Sequence, residues 1–316
     1  MGGYIAGRGV QAAVLLVLVS CVSYAIMNIA PGGPLAVYLH NPQVTPDRIV
    51  LLQHQLGLDR PWYARYLTWL GAIARGEWGD SYYTGRPVLA MIGERLPATL
   101  LLMASAFALA LGLSFPLGIF AATHKYTWGD NLLSFASFFA WAMPTFWFGL
   151  MLQLVLAVHL RLLPVAGMHE IGNSGAADLL RHLVMPAVVL GLGAIASWSR
   201  YLRSSVLEVL SREYVRTARA KGLPRARVLS RHIVRNSLIP IVTLIALELP
   251  ALFGGAVITE SIFGWPGMGR LFLEALNNRD YPVQMAGLIL SAALLVVANL
   301  LADLTYAVLD PRIRYA

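Results

Sequence analysis

The chain has 316 residues, of which 58% are hydrophobic and only 13% are charged, and its formal net charge is +8. Soluble domains carry about 25% charged residues, so this composition excludes an ordinary soluble protein and indicates a membrane protein. The single cysteine, Cys21, excludes an intramolecular disulfide and a cysteine-built zinc or iron–sulfur site.

Six apolar segments are long enough to cross a bilayer, which takes about 20 helical residues. They are Val10–Ala30, Ala98–Thr123, Leu132–Val158, Leu183–Ser199, Ser237–Phe263 and Val283–Ala302. The fourth is short, and we expect its ends to extend into the flanking residues. NIAPGGP follows the first without a small-residue cleavage pattern, so we interpret that span as an uncleaved signal anchor. The pattern predicts an all-α integral membrane protein.

A long loop, residues 31–97, follows the first span and is rich in Trp and Tyr. Leu67, Leu70 and Ile73 fall at helical spacing, so the loop is predicted to contain a helix, a turn and a second helix. Two interpretations stay open. The loop is either an amphipathic cap on the membrane surface or part of a docking surface for an external partner.

The positive charge is concentrated in one segment. Residues 200–235 hold ten Lys and Arg against two acidic residues, which accounts for the whole net charge of +8. With six spans, the basic residues of the termini and of the other short loop on that side are Arg8, Lys125, Arg312 and Arg314. Because short basic loops stay in the cytoplasm, both termini are predicted to be cytoplasmic and loop 31–97 to face outward.

Several motifs of catalysis and nucleotide binding are missing from the sequence. It has no GxxxxGK[ST] phosphate loop, no HExxH and no GxSxG. The seven histidines are scattered, and no two share a helix face at i, i+4. We therefore predict neither an enzyme nor a chain that binds a metal, ATP or another cofactor itself.

Two acidic residues lie inside the fifth predicted span. Ionisable residues within a membrane are costly and are therefore candidates for function, here for lining or gating a pore. These candidates are Glu248 and Glu260. The alternative for each is a structural bond to a neighbouring helix.

The basic segment EYVRTARAKGLPRARVLSRHIVRNSLIP is predicted to be a short helix, a glycine turn and a second helix. The stretch RYLRSSVLEVLSREYVRTARAKG, which leads into it, is predicted to begin as a continuation of the fourth span. Arg212, Arg216 and Arg219 fall at i, i+4 and i+7, which predicts one stripe. Gly222 suits a helix C-terminus, and Pro224 suits the start of the next helix.

Three interpretations of this segment compete. It is positive-inside charge alone, a nucleic-acid site, or a mechanical coupling element that presses against a cytoplasmic partner. Nucleic acid is disfavoured, because the segment lacks interleaved aromatic residues and is tied to the bilayer at both ends.

The segment resembles the EAA-x3-G-x9-I-x-L-P loop of ABC-transporter permeases, which docks on the ATPase subunit. Aligned on Gly222, the EAA triplet falls on Arg216, Thr217 and Ala218, and the final proline on Pro240. Arg216 stands where the motif has Glu, as is typical of the peptide/nickel branch. Further motifs resemble the B-type permeases of that dipeptide/oligopeptide/nickel branch: PGGP, LGLDRPWYARYLTWL, RLPATLLL, ITESIFGWPGMGRLFLEALNNRDYPV and ADLTYAVLDPRIR.

This resemblance covers nearly the whole chain and implies the type I ABC importer permease fold, with six transmembrane helices and a helical extracytoplasmic loop after the first. Residues 1–30 would then be the cytoplasmic N-terminus and first span, and 31–97 the outer loop. Residues 98–309 would be the transmembrane core, with a coupling loop at about 200–236, and 310–316 a cytoplasmic tail. The implied coupling residues are Tyr214, Arg216, Thr217, Ala218, Arg219, Ala220, Lys221, Gly222, Leu223 and Pro240.

The implied function is half of a translocation pore for di- and oligopeptides in the bacterial cytoplasmic membrane. The implied partners are membrane lipid, a second, C-type permease, an extracytoplasmic binding protein and two cytoplasmic ATPases, which bind the ATP and Mg. A permease of the same family for nickel, a nickel chelate or another small solute is one alternative. A stand-alone secondary transporter or channel is another, but it predicts inverted repeats, and no clear repeat is visible.

Overall fold

The structure is a computed structural model that describes residues 2–29, 35, 47, 51, 53–54, 59–173, 175–248 and 251–309. Apart from an isolated antiparallel bridge between Asp80 and Pro87, the regular structure of these residues is helical. This agrees with the predicted all-α class.

Twelve α-helices in the described part of the chain are numbered here in chain order. They are α1 (Gly2–Ile29), α2 (Trp62–Ala74), α3 (Val88–Thr123), α4 (Trp128–Ala142), α5 (Thr145–Leu152), α6 (Ala176–Leu210), α7 (Glu213–Ala220), α8 (Arg225–Arg227), α9 (Arg235–Glu248), α10 (Ala251–Ile262), α11 (Met268–Asn277) and α12 (Tyr281–Leu309). Two π-helical segments, Gln153–His159 and Val228–Val234, follow α5 and α8.

Four helical segments in the described part of the chain are long and apolar enough to cross a membrane, and a bent pair makes a fifth if it counts as one span. The four are Gly7–Ile29, Val88–Thr123, Ala176–Leu210 and Tyr281–Leu300. They correspond to the first, second, fourth and sixth predicted spans, and the fourth extends at both ends as expected. The predicted fifth span coincides with α9 and α10, which lie on either side of residues 249–250, outside the described residues. The number six therefore stays a prediction.

The third predicted span, Leu132–Val158, falls on the bent pair of helices. The chain bends by 106° between Trp128–Ala142 and Thr145–His159. Met143 at the bend is extended, with φ −79° and ψ 127°. The physical reason is Pro144, whose ring disfavours the helical conformation of the residue before it.

The chain divides into two compact units, of which the first comprises residues 1–98, 266–297 and 315–316. In this first unit, α2 packs on α1. The hydroxyl of the buried Tyr66 on α2 lies 2.9 Å from Ser20 Oγ on α1 and donates to Val17 O on α1 at 3.1 Å. The turn at residues 81–82 is bonded to the α11–α12 connection. Asp280, 3% exposed, accepts hydrogen bonds from Ser81 Oγ and, at 3.0 Å, from Tyr82 N–H.

The second unit comprises residues 99–265 and 298–314 and is centred on α6. One apolar cluster joins α6 to α3, α7, α9 and the π-helical segment after α8. Its fully or nearly fully buried members include Trp198, Leu202, Val206, Val215, Ala218, Val228, Ile233 and Ile241. The short basic helix α7 is thus anchored to a transmembrane helix through its own apolar side.

Glycine sets the close approach of α3 and α6. A Cβ on Gly118 would lie 2.7 Å from Ser199 O and 2.9 Å from Leu202 Cβ. A Cβ on Gly191 would lie 2.9 Å from Ala106 O. Two helix backbones approach this closely only where a small residue faces the partner.

Gly118→Val is therefore expected to lower the stability of the protein by about 1–3 kcal/mol, because overpacking forces backbone shifts. The measurement is thermal unfolding of the purified protein in detergent. Gly112→Val is the matched control, because Gly112 lies on the same helix with no atom within 4 Å of its Cβ position. Equal effects of both substitutions would contradict the close contact.

Candidate coupling site

The basic segment forms the predicted helix, glycine turn and second helix. At the end of α7, Gly222 N–H donates to Arg219 O at 3.0 Å and Leu223 N–H to Ala218 O at 3.4 Å. Gly222 has φ +74°, in the left-handed region that glycine adopts without steric cost. Pro224, with φ −62° and ψ 142°, then leads into α8. Glycine thus stands at the position of the turn that requires a positive φ.

The predicted continuation of the fourth span is confirmed as far as Leu210 and is wrong beyond it, because the basic segment forms a separate helix. Helix α6 ends at Leu210, the Ser211 hydroxyl donates to Glu208 O at 2.7 Å, and Arg212 is extended with ψ 143°. A serine hydroxyl that bonds to the backbone offers the chain an alternative to helix. A new helix, α7, therefore begins at Glu213 with its own direction.

This break also removes the predicted arginine stripe. Arg212 lies outside α7 and pairs with Glu208 on α6. Within α7, Arg216 Nη1 lies 3.2 Å from Glu213 Oε1. Arg212 thus lies between α6 and α7, and only Arg216 and Arg219 belong to one helix.

Helix α7 has one face inside the protein and one outside. Val215 and Ala218 are 0% and 5% exposed. The other predicted coupling residues of α7 and its turn are exposed, except Leu223, which is half-buried: Tyr214, Arg216, Thr217, Arg219, Ala220, Lys221 and Gly222. Pro240 lies within α9, and its side chain is outside the described residues. A partner would therefore meet Thr217 and Ala220, whereas Ala218 packs into the core.

A cavity of about 560 Å³ opens beside the turn, between the end of α3, α6 and the basic segment. Its apolar lining includes Leu207, Leu210 and Ile233, and its basic lining includes Lys125, Arg219 and Arg225. A basic rim around an apolar floor suits a partner surface that presents acidic and apolar side chains.

The two candidate pore residues are each held by hydrogen-bond donors within the second unit. Glu248, half-buried at the end of α9, accepts from Trp198 Nε1 at 2.5 Å and from Ser197 Oγ at 3.1 Å. Glu260, 0% exposed, accepts from Thr99 Oγ1 at 2.6 Å. These contacts are those expected for structural bonds between helices. The described residues contain no group of three or more His, Cys, Asp and Glu side chains that could hold a metal ion.

A buried ion pair lies beside the basic segment, which is the candidate coupling segment, and it was not predicted from the sequence. Asp130, 1% exposed at the start of α4, accepts from Arg203 Nε at 2.6 Å and Nη2 at 2.7 Å. It also accepts from the Tyr126 N–H at 2.9 Å. The pair fixes α6 two turns before it ends at Leu210. The two residues are 73 positions apart, so the sequence does not indicate that they form a pair. Its only signal is Arg203 itself, a basic residue near the end of an apolar helix.

The fold is similar to that of a solved ABC transporter subunit. A chain of the methionine ABC transporter MetNI, in an inward-facing conformation, matches with a TM-score of 0.58 and 15% sequence identity. The match covers 71% of the present chain and 98% of that chain. The fold is the all-α membrane fold of type I ABC importer permeases.

Curated relatives match along almost the whole length of the chain. The oligopeptide transport system permease protein AppB of Bacillus subtilis (strain 168) is 42% identical, with 100% of each chain covered. The dipeptide transport system permease protein DppB of Escherichia coli (strain K12) is 36% identical, with 94% of each covered. The di/tripeptide permease protein DppB of Pseudomonas aeruginosa (strain UCBPP-PA14) is also 36% identical, with 94% of each covered.

Two family models match consecutive parts of the chain. Residues 1–103 match the N-terminal model of binding-protein-dependent transport system membrane components. Residues 114–315 match the binding-protein-dependent transport system inner membrane component. Together with the full-length relatives, these matches show that the chain belongs to the binding-protein-dependent transport system inner membrane components, the permease subunits of ABC importers.

Proposed function

We propose that the chain forms one half of the translocation pore of an ATP-driven importer for di- and oligopeptides. The observation that carries the proposal is similarity over 94–100% of the chain to permease proteins named for oligopeptide, dipeptide and di/tripeptide transport. The nickel alternative within the same family is not favoured, because these relatives are named for peptides.

The chain contributes the pore and a coupling surface, but no catalytic site. ATP and Mg are held by two cytoplasmic ATPase subunits, one of which docks on the exposed face of α7 and on the Gly222 turn of this chain. The proposal is supported by the rigid anchoring of α7 through Val215 and Ala218, which lets a force on the exposed face reach α6.

The remaining partners are a second, C-type permease and an extracytoplasmic binding protein that delivers the peptide. Both termini and the coupling segment are cytoplasmic in this proposal, because residues 200–235 carry the whole net charge of +8. The loop that contains α2 then faces the binding protein and the extracytoplasmic surface of the cytoplasmic membrane. Exposed aromatic and apolar side chains on α2, among them Trp62, Tyr63 and Leu67, suit contact with either.

The complete importer, reconstituted in vesicles with its ATPases and binding protein, provides the test. A labelled dipeptide is expected to accumulate only when ATP is supplied on the side of the ATPases. Accumulation of nickel but not of peptide would contradict the substrate class. Peptide movement without ATP would contradict the whole mechanism.

Single-cysteine cross-linking is expected to map the docking face of α7. With Cys21 replaced by serine, Thr217→Cys and Ala220→Cys should form cross-links to an ATPase subunit, because both positions are exposed. Ala218→Cys should form none in the assembled importer, because that position is 5% exposed and faces the core. A cross-link from Ala218→Cys equal to the other two would contradict the proposed face.

A further inference from the structure

A cavity in the first unit, separate from the coupling site, has the chemistry of a ligand site. Its volume is about 240 Å³. Its walls come from the end of α1, one side of α2, the turn at residues 77–82 and the start of α12. The α1–α2 wall is preformed, because the rings of Tyr24, Tyr66 and Trp69 pack with centroids 5.5–6.0 Å apart.

One side of the cavity carries a positive charge whose hydrogen bonds are incomplete. Arg65 Nη2 donates to Asn28 Oδ1 at 2.6 Å, which is a neutral partner. The Nε of Arg65 is buried and has no hydrogen-bond partner among the described residues. A buried donor left unpaired is costly, and the guanidinium group matches a phosphate or carboxylate with two parallel hydrogen bonds. This side of the cavity is therefore suited to an anion.

The turn at residues 77–82 contributes negatively charged residues to the same cavity. Glu77 and Asp80 line the same cavity with carboxylates, and Trp69, Trp78 and Tyr281 line it with aromatic rings. Glu77 contacts Arg75 only at 3.4 Å, and both side chains are about two-thirds exposed, so that pair contributes little. Carboxylates together with aromatic faces are the groups that recognise an organic ammonium ion. The cavity thus combines an anion site with a cation site.

The depth of the cavity in the membrane narrows the choice of ligand. Tyr24 lies five residues before the end of α1 at Ile29, which is about 8 Å along the helix axis. Tyr281 is the first residue of α12, which is also a candidate span. Both spans therefore leave the hydrocarbon layer near the cavity, at the level of lipid headgroups, and Met27 and Met285 add an apolar lining beside the charged groups.

We propose that this cavity binds the headgroup of a zwitterionic phospholipid with a primary ammonium group. The phosphodiester lies against Arg65 and Asn28, and the ammonium lies between Glu77, Asp80 and the aromatic rings. A headgroup with only a negative charge meets the same two carboxylates without a cation to balance them. The ligand is thus selected by its one negative and one positive charge, and it is held where α1, α2 and α12 meet.

The test uses the complete importer purified in detergent and titrated with phosphatidylethanolamine or phosphatidylglycerol, with bound lipid counted by native mass spectrometry. We expect phosphatidylethanolamine to bind about tenfold more tightly, and Arg65→Gln to remove most of that binding, because one charge-assisted hydrogen bond accounts for about a tenfold change. Arg60→Gln is the matched control, since Arg60 is exposed in the same loop and does not line the cavity.

A second variant provides a test that does not require the Arg65→Gln protein to fold. Asp80→Asn removes one carboxylate at an exposed position and should narrow the preference for phosphatidylethanolamine over phosphatidylglycerol. Equal binding of both lipids to the unaltered importer, or equal losses from Arg60→Gln and Arg65→Gln, would overturn the proposal. Displacement of the bound lipid by millimolar glycylglycine would also overturn it, because the site would then belong to a soluble zwitterion.

Discussion

Replacing Gly222 with valine is expected to lower ATP-driven peptide import by about tenfold or more, while the chain still inserts and assembles. Gly222 has φ +74°, and no atom lies within 4 Å of a Cβ built there, so the effect comes from backbone strain and not from a clash. A side chain in the left-handed region costs about 1–2 kcal/mol, and more when it is β-branched. Relief of that strain moves the turn and displaces α7 from α8, and with it the surface proposed to receive the ATPase.

Two further variants separate coupling from general strain. Gly222→Asn should keep most of the import, because asparagine tolerates the left-handed region. Gly85→Val introduces the same strain at φ +70°, also with no atom within 4 Å, but in the turn before α3. The measurements are peptide uptake and peptide-stimulated ATP hydrolysis by the reconstituted importer. Normal uptake by Gly222→Val would contradict the coupling role, and so would ATP hydrolysis that remains normally linked to uptake.

Asp130→Asn is expected to lower the stability of the protein by about 3–5 kcal/mol, a larger loss than that from Gly118→Val. The substitution removes the carboxylate that accepts two hydrogen bonds from the Arg203 guanidinium. The arginine then keeps its positive charge without a negative partner, which is strongly destabilising. The pair also joins α4 to α6, so its loss loosens the helix that precedes the coupling segment. Thermal unfolding of the purified protein in detergent should show a clear decrease in midpoint.

Arg212→Gln provides the comparison for this prediction. It removes the pair between Arg212 and Glu208, whose side chains are 59% and 66% exposed. Exposed pairs contribute about 0–1 kcal/mol because water screens them. The double variant Asp130→Leu/Arg203→Met should recover part of the stability, since it removes both buried charges together. A similar midpoint for Asp130→Asn and Arg212→Gln would contradict the structural importance of the buried pair.

Local features of the chain were predictable where one residue type decides the backbone. Gly222 and Pro224 predicted the turn between α7 and α8, because few other residues suit those positions. The apolar length of Leu183–Ser199 and its flanks predicted a long fourth span, which the structure extends to 35 residues. In contrast, the arginine spacing after Arg212 predicted a continuous stripe, but α6 ends at Leu210 and α7 begins only at Glu213.

The sequence by itself determined that this is an all-α membrane protein with its positive charge in one segment, because hydropathy and charge act over neighbouring residues. Tertiary structure alone decided which face of α7 is buried, since Ala218 and Ala220 are the same residue type two positions apart. It also decided that Asp130 meets Arg203 and that Arg65 faces a cavity with two carboxylates. These outcomes depend on contacts between helices that are distant in sequence. Hydrophobic burial and charge pairing act between groups that are close in space, and the linear order of residues does not specify which groups those are.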